Sequence, residues 1–340
     1  MRCRLATSTF VTLSVVTMVL LAGCSEATST AADGSTVEVA PETPVAGDPS
    51  AATTTIDPDM PATSAAPATT VPLSTARIDA VLDAGEFATL LSGSHRAITD
   101  PAAPADIVVQ NGEQMQLALR ALADVPEFDD EVLAALDPTS RPTIERIVRA
   151  RQFLQARNAA DTTPSEPPAE LPAWTIVDPE PAEMLLGHYA EAEALTGIPW
   201  YWLAAIHLQE TRMGRIQGVS SAGAVGPMQF LPTTWAECCT GDPLVTRDAI
   251  IGAATYLAQS GGPADMNAAV YQYNPNDGYV AVVTAYAENL RRVPELYRGY
   301  HAFQVFFGTN AGTVRLPIGY SQPTPIDAAS YLTAHPSDAA

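Results

Sequence analysis

Glu210 is the residue whose setting first invites a chemical reading. The run Trp200 to Thr211 follows Gly197-Ile198-Pro199 and is closed by Gly214, a pattern that predicts a helix. Leu203, Ile206 and Glu210 then fall at i, i+3 and i+7, so a stripe that begins apolar ends in a carboxyl group. An apolar wall disfavours the charged carboxylate and raises its pKa, as a general acid working near neutral pH requires. Helical spacing alone leaves a second reading open, in which Glu210 turns to solvent at a frayed last turn. His207, one turn earlier, could tune Glu210 as a charge, but reads better as a hydrogen-bonded structural histidine.

Two further segments could assemble around that carboxyl. Ser220 to Trp235 is a glycine-rich turn leading into a helix capped by Thr233 or Thr234; Gly223 and Gly226 permit backbone paths that other residues resist. Within it Gln229 offers a donor and an acceptor between apolar neighbours, which suits an acetamido group or a sugar hydroxyl. The second segment, Ala268 to Val280, ends one helix in Asn274-Pro275 and starts another at an Asn or Asp cap. Other acids read structurally: Asp277 as a helix cap, Asp248 as a first-turn residue of a helix through Tyr256 and Leu257, and Glu237 with no assigned role.

Taken together, Glu210-Thr211 with Gly214, then Gly223-Ala224-Val225-Gly226-Pro227-Met228-Gln229-Phe230 with Pro232 and Trp235, then Tyr273-Asn274 with Tyr279-Val280, resemble the lytic transglycosylases of the soluble-transglycosylase and lysozyme-like superfamily. The likeness covers Ala182 to Arg292 and is nearest to the actinobacterial lipoprotein type. It implies a mainly α, lysozyme-like domain whose cleft binds the glycan strands of peptidoglycan, with no cofactor and no metal. Carried over position by position, Glu210 matches a single catalytic acid/base. Met228 and Gln229 match a motif lining the sugar sites, and Tyr273 and Asn274 match a pair closing the cleft beside the acid. Thr211 stands where many relatives have Ser and keeps the hydroxyl, so it joins the implied substrate-binding set. Pro275 after Tyr-Asn is a departure that leaves that turn's geometry open. The implied reaction cleaves the β-1,4 bond between N-acetylmuramic acid and N-acetylglucosamine and leaves a 1,6-anhydro end. A muramidase-type hydrolase and a non-catalytic wall-binding lipoprotein are the alternatives.

These elements sit in a chain of 340 residues with 17 basic and 38 acidic side chains and a formal charge of −21. Every basic residue is Arg, and the acidic balance argues against a nucleic-acid partner, whose phosphates are bound mainly by Lys and Arg. Residues 1–23 read as a signal peptide: Arg2 and Arg4 precede the apolar stretch Phe10 to Ala22. Leu21-Ala22-Gly23-Cys24 resembles the bacterial lipobox, which implies acylation at Cys24 and an extracytoplasmic protein anchored to the cell membrane by lipid. Residues 24–75, rich in Ala, Thr and Pro, bury too little apolar surface to order and form a tether.

Periodic apolar residues such as Met115, Leu119, Leu122, Ile144, Ile147 and Val148 predict a helical region over 76–160 with no chemistry of its own. There His95, Asp129, Asp130 and Glu131 are expected to be solvated or to cap helices. A proline-rich linker, 161–180, precedes the 181–295 catalytic domain. Alternating residues from Tyr297 to Ile318 around Gly308 to Gly312 predict a β-hairpin extension over 296–320, and 321–340 reads as a loose tail. Cys238 and Cys239 are adjacent, closer than the usual disulfide span, so reduced thiols are favoured over the two alternatives, a strained vicinal disulfide and a bridge to another chain.

Overall fold

Twelve α-helices among the described residues carry the fold, most of them where apolar periodicity and capping residues meet. The structure is a computed structural model that describes residues 10–11, 82–160 and 164–340. The signal segment apart from Phe10 and Val11, the lipidation position Cys24, the 24–75 tether and the opening of the 76–160 region lie outside the described residues. Among the described residues, no helix is long and apolar enough to cross a membrane.

Four helices come first: α1 (Ala84–Thr99), α2 (Ala105–Asp124), α3 (Asp129–Ala135) and α4 (Arg141–Ala160). Asp83 and Glu86 start α1 with a capping box, each side chain accepting from the other's backbone N–H at 2.8 and 2.9 Å. The second group is α5 (Ala182–Thr196), α6 (Trp200–Thr211), α7 (Pro232–Cys238), α8 (Thr246–Gln259), α9 (Met266–Tyr273), α10 (Asp277–Arg292) and α11 (Leu296–His301). Helix α6 is buried almost all round, from Trp202 to Leu208, and lies among α5, α8 and α10 as the central element.

The two groups share one hydrophobic core, in which Leu91, Met115, Leu122 and Ile144 join Leu203, Ile206, Leu290 and Tyr300. The 161–180 linker therefore does not separate two cores. Helix α10 packs on both α4 and α6, and α11 packs on α2. Asn289 of α10 donates to the Thr143 carbonyl and to the Tyr300 hydroxyl, each at 3.1 Å. At the crossing of α2 and α11 a Cβ on Gly112 would stand 2.4 Å from the Gly299 oxygen, so only glycine admits this approach.

Several expectations for the flanks are corrected by long-range packing. His95 is buried, its Nε2 3.3 Å from the Thr143 hydroxyl, and Asp129 is a buried partner of Arg151 rather than a solvated acid. Tyr297 and Tyr300 belong to helix α11, and the hairpin begins only afterwards, pairing Val305–Thr309 with Gly312–Leu316. The last twenty residues are ordered: Ile326–Asp327 pairs with Glu170–Leu171, and Tyr331 of α12 (Ala328–Ala334) packs with Val305, Val314 and Tyr320 in a second small core. These residues have polar composition but reach apolar partners far away in sequence, which local patterning does not register.

Candidate active site

The end of α6 carries the central group. Glu210 is 2% exposed, and burial raises its pKa from 4.5 to about 8 against two opposing influences, the Tyr279 hydroxyl and the Arg212 charge. Tyr279 donates its hydroxyl to Glu210 Oε1. That phenol is delivered by the first turn of α10, where the Asn276 side chain accepts from the Tyr279 N–H at 3.0 Å and caps the helix. The apolar stripe of α6 thus ends in a sheltered carboxyl, and the solvated alternative is excluded by these contacts.

Beyond Glu210 the chain reverses through three successive left-handed residues, Arg212, Met213 and Gly214, with φ of 55°, 61° and 86°. Such backbone is costly for the two non-glycine residues and is held by its surroundings. Arg212 is buried and donates to the Leu208 carbonyl; Thr211 ties the reversal to the glycine-rich turn. The Thr211 hydroxyl donates to the Pro227 carbonyl at 2.6 Å and accepts from the Gly214 N–H at 3.0 Å. Thr211 is 0% exposed, and its hydroxyl braces the two loops against each other.

The glycine-rich turn is shaped by contact as well as by conformation. Gly226, at φ 75°, faces the Pro243 carbonyl so closely that a Cβ would lie 1.9 Å from it. Val225 and Phe230 bridge the turn with paired backbone hydrogen bonds of 2.9 and 3.0 Å. Gln229 adopts φ 48°, and its side-chain nitrogen donates to the Gly226 carbonyl at 2.8 Å. This amide is rigidly set between its neighbours. The Met228 side chain is wholly buried. What Met228 supplies is its carbonyl, which accepts from the Tyr273 hydroxyl.

Tyr273 therefore links α9 to the turn. Its ring stands edge-on to Phe230 and Tyr256, with centroids 5.5 and 5.8 Å away, and burial with the nearby Glu210 charge holds its phenol well above its ordinary ionisation. Asn274, next in the chain, is buried. Glu210, Tyr273 and Tyr279 are thus brought together, with the turn bearing Gln229 tied to the same group through Thr211 and Met228.

His207 behaves as the structural residue expected. It is buried, its Nδ1 lies 2.8 Å from the Tyr189 hydroxyl, and burial followed by the charges of His301 and His188 lowers its pKa to about 3. It is neutral beside Glu210 at working pH. Of the other acids considered from sequence, Asp277 pairs with Arg157 at 2.7 Å, Asp248 accepts from the Asp242 N–H at 3.1 Å, and Glu237 is exposed. None is buried like Glu210.

Sequence reasoning gave no role to Tyr279, although its place three residues after a helix cap was visible. It also missed Arg212, whose conformation has no sequence signal. Cys238 and Cys239 are joined in a disulfide, correcting the reduced state expected from their spacing.

The chain is similar to a transglycosylase. It is 39% identical over 71 residues to membrane-bound lytic murein transglycosylase F of Thiobacillus denitrificans, a stretch that is 21% of this chain and 15% of that protein. The chain thus spans well under a fifth of the length of the relative it matches. No family model matches the chain, and no solved structure does.

Proposed function

We propose that this protein is a peptidoglycan lytic transglycosylase with a lysozyme-like catalytic domain, anchored to the cell membrane through a lipid on Cys24. The observation that carries the reading is Glu210, a buried carboxyl with a pKa of about 8 that receives a hydrogen bond from Tyr279. Similarity to a named lytic murein transglycosylase supports the substrate class.

At pH 7 Glu210 holds its proton in roughly nine-tenths of molecules, since its pKa lies about one unit higher. It donates that proton to the glycosidic oxygen between N-acetylmuramic acid and N-acetylglucosamine as an oxocarbenium-like centre forms at C1. The Tyr279 hydroxyl, already on Oε1, then stabilises the carboxylate that is left behind. The ionised Glu210 removes the proton from the muramyl C6 hydroxyl, which attacks C1 and closes the 1,6-anhydro ring. Because the attacking hydroxyl belongs to the same sugar, its effective concentration far exceeds what water can offer. A second carboxylate has no part in this scheme, in keeping with the surface positions of Asp277 and Glu237. Gln229 and Asn274 are the side chains proposed to orient the sugar, and Tyr273 holds the wall between them.

Mass spectrometry of muropeptides released from purified sacculi tests the proposal. Anhydromuramic ends are expected from the wild type, and Glu210→Gln is expected to release none while still sedimenting with sacculi. Reducing ends would instead make the protein a hydrolase. Equal turnover by Glu210→Gln would remove the enzymatic reading.

A further inference from the structure

A separate cavity of about 50 Å³ lies in the seam where α2 and α4 meet α6 and α10. Its walls are mainly hydrocarbon, contributed by Leu119, Ile147, Leu154, Val282, Ala285 and Phe303. Three guanidinium side chains, those of Arg120, Arg151 and Arg212, also line it. An apolar chamber with three cations is an uncomfortable arrangement, because a buried charge is costly unless it is paired.

The pairing of those cations is incomplete. Arg151 is 3% exposed and donates to Asp129, yet its Nε and Nη1 have no hydrogen-bond partner among the described residues. Arg212 is 6% exposed and donates to the Leu208 carbonyl, and its Nε is likewise unpartnered there. Arg120 lies over the Phe306 ring, 4.3 Å from its centroid. Burial chiefly, and then the neighbouring Arg212 charge, lowers its ionisation to about 10 despite Asp124. Asp129 is already engaged by Arg151 and by Gln152 at 2.8 Å, and the protonated Glu210 brings no negative charge to Arg212 at neutral pH. Three positive groups therefore face one directly bonded carboxylate, with N–H donors left over.

We infer that this cavity binds a small carboxylate bearing a short hydrocarbon chain. The unpartnered N–H groups of Arg151 and Arg212 would take the oxygens as charge-assisted hydrogen bonds, and Arg120 would add the remaining positive field. The chain would lie against Val282, Ala285 and Phe303. A site of this volume holds a few small groups, which suits a short-chain acid and not a long-chain lipid. The cavity shares Arg212 with the surroundings of Glu210, but its test reads binding instead of turnover, so its failure is distinguishable from failure of the transglycosylase proposal.

The test uses the whole protein with butyrate as the probe, followed by titration calorimetry and thermal unfolding at pH 7, with sodium chloride and n-butylamine as matched controls. Saturable binding of butyrate and a concentration-dependent rise in Tm are expected, with neither control producing them. Arg120→Gln should weaken binding at least tenfold. Ala285→Leu, which keeps every charge and fills the apolar end, should weaken it to a similar degree. Butyrate acting no differently from chloride, or acting equally on the wild type and Ala285→Leu, would overturn the assignment and leave the guanidinium groups as hydrated elements of the seam. Should Arg120→Gln fail to fold, Ala285→Leu and the butylamine comparison still decide the matter.

Discussion

Glu210→Gln should make the protein more stable at alkaline pH while removing its activity. In the folded protein the carboxyl titrates at about 8, against an ordinary value of 4.5 when the chain unfolds. Between those two values the folded state holds a proton that the unfolded state lacks, so this group's contribution to stability falls as pH rises. The loss is about 1.4 kcal/mol per pH unit and, over the whole window, on the order of 5 kcal/mol. It is complete above pH 8 and absent below pH 4.5. Glutamine has no such titration but places an extra N–H group in a sheltered site, at a cost of about 1–2 kcal/mol. The variant should therefore be slightly less stable than wild type at pH 5 and more stable by about 3 kcal/mol at pH 8. Urea unfolding of both proteins at pH 5, 6.5 and 8 measures the difference directly. His207, neutral when folded, loses stability as pH falls from 6.5 toward 3, and it cancels because both proteins carry it. A wild-type-to-variant difference that stays level from pH 5 to pH 8 would refute a protonated Glu210 and, with it, the acid step.

Three other perturbations follow from the same geometry. Tyr279→Phe removes the donor that lowers the Glu210 pKa, so the alkaline limb of the kcat/KM profile should move to higher pH while kcat falls about tenfold. Thr211→Val leaves the Pro227 carbonyl and the Gly214 N–H without their buried partner and should cost about 2–4 kcal/mol by chemical denaturation; Thr211→Ser keeps both bonds and should cost about 1 kcal/mol. Gly226→Ala drives a Cβ into the Pro243 carbonyl and should cost more than about 3 kcal/mol, whereas Gly223→Ala, with open space around it, should cost about 1 kcal/mol, a contrast that melting curves resolve.

The helical class, the apolar stripe ending at Glu210, the glycine-rich turn, the structural character of His207 and the presence of a C-terminal hairpin, though not its bounds, were legible in the chain. Each rests on a local rule: a 3.6-residue or two-residue period, a capping side chain, or a residue able to adopt a left-handed backbone. Other features depend on which distant atoms arrive beside a given side chain. The polar groups of Thr211 and Met228 find their partners, Pro227, Gly214 and Tyr273, on other segments. His95 and Asp129 look like solvated residues until Thr143 and Arg151 close over them. Tyr279 gains its meaning only because the cap at Asn276 sets α10 so that the phenol meets Glu210. Periodicity tells which face of an element is buried, but the neighbour that buries it is chosen by packing across the whole molecule, and the pKa of Glu210 is set by that choice.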